Sequence, residues 1–249
     1  MLRRERERER ELLESLKQSE IANIVTKGLN PNVPMKDSGI PWIGMIPEHW
    51  EVKKLRHLLK FVTIKGHGDK TLLSVTREQG VIQRNINSKE ENHNFIPDDL
   101  NGYKLVKPGQ FVINKMKSWQ GSYGVSDYEG IVSPAYYVCD LKFPCKEYFS
   151  MAIRSKAYVP FFTQFSKGIR VDQWDLSPLG LKNIPFMVPP LPEQQAIVEY
   201  IDSKLTKIDQ YMADLQAEID YLKEFKQRLI SDAVTGQICV AEPQKGNAQ

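Results

Sequence analysis

Three stretches of the chain gather cations, amides and aromatic rings in the mixture that a nucleic-acid surface uses. The first is Asn114-Lys-Met-Lys-Ser-Trp-Gln120, running on to Tyr123. The second is Ser166-Lys-Gly-Ile-Arg170-Val-Asp-Gln173-Trp174. The third joins Arg77 to Gln83-Arg84-Asn85. Lys and Arg hold phosphates by charge. Arg, Gln and Asn also have the paired donors and acceptors that read guanine and adenine in the major groove. The candidate contacts are therefore Arg77, Arg84, Lys115, Lys117, Gln120, Lys167, Arg170 and Gln173. Gly168, beside Arg170, would let backbone come close to a partner. Residue type and expected loop placement carry this selection. Taken singly, each of these side chains also reads as an ordinary solvated residue, and Trp119 and Trp174 are expected in the core rather than as stacking platforms.

Catalytic patterns are weaker. His49, His57, His67 and His93 have no metal-ligand spacing and no nucleophile partner in sequence. Cys139, Cys145 and Cys239 show no CxxC spacing and are odd in number, which argues against a disulfide framework or a zinc site. Gly66-His-Gly-Asp-Lys70-Thr71 lacks the spacing of a phosphate-binding loop. No strand–glycine turn–helix unit for a nucleotide is visible. Pro97-Asp98 followed by Asp140-Leu-Lys142 has the residue types of a metal-dependent nuclease, although Pro97-Asp98-Asp99 reads as a turn. Asp98, Asp140 and Lys142 are the enzymatic alternative. No catalytic or metal-binding residue is assigned.

The charge distribution supports the first reading over the second. The 249 residues carry a formal charge of +3. Residues 51–190 hold 20 basic and 13 acidic side chains, net +7, whereas 191–249 hold 6 basic and 10 acidic, net −4. A basic middle suits a polyanion. No run approaches the ~20 apolar residues of a membrane span. The opening MLRRERERERELLES has no apolar signal-peptide core, so a cytoplasmic location is expected.

These loops need a scaffold. After Pro189-Pro190-Leu191-Pro192, a stretch without Pro or Gly runs from Glu193 to Val234. Ile201, Leu205, Ile208, Met212, Leu215, Ile219 and Leu222 step through it by alternating fours and threes, and Leu229 resumes the series. This heptad spacing predicts a coiled-coil helix about 60 Å long that pairs with another long helix. Residues 1–28 read as a shorter helix. Arg and Glu alternate almost perfectly from Arg3 to Glu11, and Gly28 and Pro31 stop it. Residues 29–50 are dense in Pro and Gly and read as an extended connector. Residues 51–190 read as short strands and turns. The strand candidates are Thr71–Thr76, Phe111–Asn114, Ile131–Val132 and Ala135–Cys139, with one helix over Lys146–Tyr158. The long helix spans 191–238, and the tail 239–249 is expected to be disordered. The fold class is α+β, a mixed, β-rich domain with a long C-terminal coiled-coil helix and a short N-terminal helix.

The two ends of the chain repeat. At one offset of 209, Leu13 matches Leu222, Lys17 matches Lys226, Gln18 matches Gln227 and Ile21 matches Ile230. Val25-Thr26 likewise matches Val234-Thr235. The first helix thus reads as the tail of a second copy of the long one.

Taken together, Ser38-Gly-Ile-Pro-Trp-Ile-Gly-Met-Ile-Pro-Glu-His-Trp50, Gly130-Ile-Val-Ser-Pro-Ala-Tyr136, Pro189-Pro-Leu-Pro-Glu-Gln-Gln195 and Leu229-Ile-Ser-Asp-Ala-Val-Thr-Gly236 resemble the specificity subunits of type I restriction–modification systems. Such a subunit holds two target recognition domains and two spacer helices packed antiparallel. This chain has one recognition domain, 51–190, one full spacer helix and the tail of another, so it resembles a half-length form. The resemblance implies a non-catalytic DNA-recognition subunit that docks methyltransferase subunits and a restriction subunit onto a bipartite double-stranded site. The chain itself needs no cofactor; S-adenosylmethionine, ATP and Mg serve the partners. A half-length form implies a homodimer, or pairing with another half, through the Ile201–Leu222 seam. A coiled-coil scaffold that binds the methyltransferase without reading DNA is the alternative. The resemblance supplies no motif for base reading.

Overall fold

The computed structural model describes residues 2–84, 97–170 and 173–238. Asn85, His93, Cys239 and the tail 239–249 lie outside the described residues, as do the side chains of Lys167, Arg170 and Gln173. In chain order the elements begin with α1 (Leu2–Lys27), β1 (Met35–Asp37), β2 (Met45–Pro47), β3 (Glu51–Lys54), β4 (Leu59–Val62), β5 (Leu73–Thr76) and β6 (Gly80–Gln83). They continue with β7 (Lys104–Val106), β8 (Gln110–Asn114), β9 (Tyr123–Val125), β10 (Gly130–Val132), β11 (Tyr136–Leu141), α2 (Lys146–Arg154) and α3 (Val159–Phe165). They close with β12 (Ser166–Arg170), β13 (Gln173–Leu176), α4 (Pro178–Asn183), β14 (Pro185–Val188) and α5 (Leu191–Val234). The chain divides into two compact units, 18–201 and 1–17 with 202–249.

The larger unit is built on an antiparallel sheet in the order β4-β11-β8-β9. Successive side chains of a strand point to opposite faces, and here both faces are covered. Val112 of β8 and Val138 of β11 join Leu73, Val75, Val81, Val106 and Val132 in one apolar layer, so the β5–β6 hairpin and the β7–β10 ribbon lie on that side. Phe111 of β8 meets Tyr123 and Phe149, and Tyr123 stacks on Phe162 with centroids 3.8 Å apart, which places α2 and α3 on the other side. All five residues of β8 are buried in consequence. The helix expected over Lys146–Tyr158 is broken at Ser155, whose backbone is extended (ψ 156°). Pro160 then starts α3, where the missing N–H of a proline costs nothing.

The points where the chain enters and leaves this unit are locked together. Trp50, only 1% exposed, donates its indole N–H to Glu193 Oε2 over 3.0 Å. His49 Nε2 lies 2.7 Å from the same oxygen. Gly28 ends α1 at φ +75°, and a Cβ there would stand 2.8 Å from Glu193 Oε1 and 3.3 Å from the Trp50 ring. Only glycine meets both demands. Gln194 donates to Pro189 O (2.8 Å), and the Tyr148 hydroxyl donates to Val25 O (3.3 Å). Between these points, within 29–50, the chain doubles back as the β1–β2 hairpin.

The smaller unit pairs two helical segments. Arg6 donates to Glu218 (3.1 Å), Lys17 to Asp209 (2.5 Å) and the Tyr211 hydroxyl to Glu9 (2.7 Å), while Arg10 bonds Gln216. The pairs run in opposite senses along the sequence, so the segments are antiparallel. Along the heptad series Leu215 and Ile219 are buried and Leu205, Ile208, Met212 and Leu222 half-buried, whereas Leu229 is exposed. Ile201, in the larger unit, is buried as well. Over 209–218 the partner demanded by the heptad is therefore α1 of the same chain. Tyr221, Phe225, Leu229, Ile230 and Val234 lie beyond that overlap and are exposed. Among the described residues no helix is long and apolar enough to cross a membrane.

Leu215→Ala should lower the stability of the chain by about 2–4 kcal/mol, the range for a buried leucine. Tyr221→Ala, whose ring is largely open to solvent, should change it by less than about 0.5 kcal/mol. Denaturant titration followed by helical circular dichroism compares the two.

Candidate nucleic-acid interface

The loop after β8 is held from several sides. Asn114 Oδ1 accepts from Met116 N (3.2 Å), its Nδ2 donates to the Tyr136 hydroxyl (3.1 Å), and Gly121 ends the short 3-10 turn Ser118–Gln120 at φ +98°. Thr163 of α3 donates to Trp119 O (3.2 Å). The stretch around Gly168, expected as a loop, is instead the β12–β13 hairpin, with a bulge between Gly168 and Arg170. Gly168 has a structural role there, since a Cβ would meet the Trp174 ring at 3.3 Å. This hairpin leans on the 115–121 loop. Leu176 N donates to Lys115 O (3.1 Å), and Trp119 and Trp174 stack with centroids 5.5 Å apart and planes 28° from parallel. Both indoles are half-buried, so each braces the other.

Arg77 joins the same region. The turn that carries it, between β5 and β6, is pinned by Arg154, which donates to Arg77 O (3.3 Å) and Glu78 O (2.8 Å). Burial lowers the Arg154 pKa from its ordinary value. The Arg77 side chain reaches the 115–121 loop, its Cγ standing 3.7 Å from where a Cβ on Gly121 would be. Lys117 and Arg77 are exposed and Gln120 is half-buried. Lys115 is partly compensated, because its Nζ lies 3.4 Å from both Asp175 carboxylate oxygens. Arg84 sits apart from Arg77, at the far end of β6, near Tyr136. There its charge opposes the upward shift that burial imposes on the Tyr136 phenol.

The structure thus brings together Arg77, Lys115, Lys117, Gln120 and the backbone of the hairpin that carries Lys167, Arg170 and Gln173. Lys104, which donates to Tyr136 O, and Lys65, whose neighbour Ile64 bonds Leu105, were not among the sequence candidates. Lys104 lies on β7 and Lys65 in the exposed segment after β4, and neither carries a local sequence signal.

Of the residues of the nuclease alternative, Asp140 accepts from Gln110 Nε2 (2.8 Å) on the sheet, and Asp98 is exposed in a bend. Among the described residues no group of three His, Cys, Asp or Glu could hold a metal ion. Burial beside Asp140 pushes the Cys139 thiol up to about 12, which makes it an inert core residue.

No protein-family model matches the chain. It is 26% identical over 208 residues to the type I restriction enzyme EcoKI specificity subunit of Escherichia coli strain K12, covering 78% of this chain and 44% of that one. It is 30% identical over 100 residues to the type I restriction enzyme StySPI specificity subunit of Salmonella potsdam, covering 40% and 21%. The fold matches a chain from a structure of the type I R-M system that concerns its complex assembly and conformational transition. That match has TM-score 0.61 and 14% identity over 93% of this chain and 54% of that one. It also matches the HsdS subunit from Thermoanaerobacter tengcongensis, with TM-score 0.51 and 16% identity over 95% and 54%. The chain resembles type I specificity subunits in sequence and in fold. It spans about half the length, or less, of the relatives it matches. The residues that first suggested specificity subunits, Trp50 and the Pro189–Gln194 run, meet physically at the Glu193 lock.

If this surface meets DNA, Asp175 weakens it by neutralising Lys115. Asp175→Asn should raise duplex affinity about threefold at low salt, with the gain fading as salt screens it. Fluorescence anisotropy with a labelled duplex at two salt concentrations measures this.

Proposed function

We propose that the chain is a sequence-specific DNA-recognition subunit of a type I restriction–modification system. The observation that carries this reading is its likeness to the EcoKI specificity subunit across 78% of the chain. The gathering of Arg77, Lys115, Lys117, Gln120 and the β12–β13 hairpin on one region of the larger unit supports it. In this reading the 51–190 domain reads one half of a bipartite site in double-stranded DNA. The chain docks methyltransferase subunits and, through that assembly, a restriction subunit. It performs no catalysis and works in the cytoplasm. S-adenosylmethionine and ATP with Mg are handled by those partners.

A bipartite site needs a second reader. In this reading a second copy of the chain, or another half specificity subunit, pairs along α5. α1 of the same chain already takes the heptad seam over 209–218, and the exposed stretch from Tyr221 to Val234 supplies apolar surface that α1 leaves uncovered. Two copies related by a twofold axis would read a palindromic bipartite site.

The test is selection of duplexes from a random pool by the chain assembled with its methyltransferase, alongside the mass of the chain in solution at low and high concentration. The expected outcome is one split, symmetric site and a mass of twice 28.7 kDa. A pool that emerges without any preferred sequence would favour the scaffold role. A strict monomer within the assembled complex would remove the paired reader.

A further inference from the structure

Lys104 is placed where a structural lysine would be costly. It lies on β7, opposite Val132 of β10, and is half-buried. Its Nζ donates one hydrogen bond, to Tyr136 O over 2.6 Å. An ammonium has three donors, so this bond does not satisfy it. The ionisable groups that act on it are mostly of like sign. Burial lowers its pKa first, then Lys65, then Lys115, and among the described residues the Cys139 thiol opposes them. Lys65 is brought there by the backbone, because Leu105 N, next to Lys104, donates to Ile64 O over 2.8 Å. Lys115 follows directly on Asn114, whose amide bonds the Tyr136 hydroxyl. Backbone contacts therefore bring the chain at Lys65 and at Lys115 close to Lys104 and Tyr136, with Lys115 paired to Asp175. Like charges held together in a partly desolvated place destabilise the fold unless an anion joins them.

We infer that Lys104, flanked by Lys65 and Lys115, seats a backbone phosphate of the DNA duplex. The inference rests on the reading of the chain as a DNA-recognition subunit and adds to it a contact that fixes register without reading sequence. A phosphate oxygen would take the remaining Lys104 donors and relieve the repulsion among the three lysines. Tyr136 is the floor of this seat. Its ring packs against the valine layer, its carbonyl holds Lys104, and its hydroxyl is held by Asn114. The seat stands next to the 115–121 loop, so a strand lying across it would continue toward Lys117 and Gln120.

The test uses the chain assembled with its methyltransferase and measures affinity for a duplex carrying the selected site and for an unrelated duplex across a salt series. Lys104→Met keeps an apolar stem of similar length and removes the charge. It should weaken binding to both duplexes by the same factor, about threefold to tenfold, and reduce the slope of log affinity against log salt by about one. Lys104→Arg should keep the slope, and Lys182→Met should leave both values unchanged, since Lys182 stacks over Phe61 on the opposite face of the sheet. If Lys104 is only structural, Lys104→Met will lower the melting temperature without moving the salt slope, and the seat is overturned. A loss confined to the selected site overturns it too, because that marks a base contact. Excess inorganic phosphate that abolishes the difference between wild type and Lys104→Met without releasing the duplex would assign the seat to a free anion and overturn the DNA contact. Failure of the wild-type complex to retain any duplex would remove the recognition reading and the seat with it. Equal retention by wild type and Lys104→Met removes the seat alone.

Discussion

β8 has no residue open to solvent, and much of the larger unit follows from covering it. Phe111 and Ile113 must be buried on one face and Val112 on the other. Each face thus needs its own layer, aromatic helices on one side and a valine-lined hairpin and ribbon on the other. Gly124, paired with Val112, shows how tight this is, since a Cβ there would meet Gly80 Cα at 3.3 Å. A strand this firmly held is a good anchor. Asn114, its last residue, passes directly into the 115–121 loop, so the loop inherits the rigidity of the core rather than the freedom of a surface turn.

Electrostatics in this unit separate into two kinds of cation. Arg154 is structural, with its guanidinium spent on two backbone carbonyls beneath the Arg77 turn. Arg77 and Lys117 point to solvent, and Lys115 is shared with a single carboxylate. A half-buried ammonium amid like charges, as at Lys104, belongs to neither kind. It is held by the Tyr136 carbonyl at the edge of the valine layer.

The sequence was most readable where periodicity and burial are the same thing. The alternation of fours and threes from Ile201 to Leu222 selects residues that are buried or half-buried in α5, because a heptad seam is by construction the covered stripe of a helix. What the seam meets was less readable. In the Arg and Glu run of α1, Arg6 and Glu9 pair at i,i+3 as the alternation implies, and they also bond across to Glu218 and Tyr211. The β12–β13 hairpin contains Lys, Gly and Asp, which have low strand propensity; cross-strand pairing and the Trp119–Trp174 stack override it. The break between α2 and α3 was missed because apolar residues continue through it at helical spacing. Of the candidate contacts, the 115–121 group was legible from composition. Lys65 and Lys104 stand far apart in sequence, and only the backbone bond from Leu105 to Ile64 makes their segments neighbours.

The Glu193 lock has a consequence for how such a chain can change. Trp50, Gly28 and Glu193 bring the two ends of the 51–190 stretch into contact. Everything between them is then, topologically, one large closed loop grafted onto a helical frame. The entropic cost of closing a loop rises only with the logarithm of its length. A replacement of different size and different surface could occupy the same graft, provided its two ends reproduced the tryptophan, the glycine and the glutamate. The frame would not register the exchange, while the surface it presents would be wholly new.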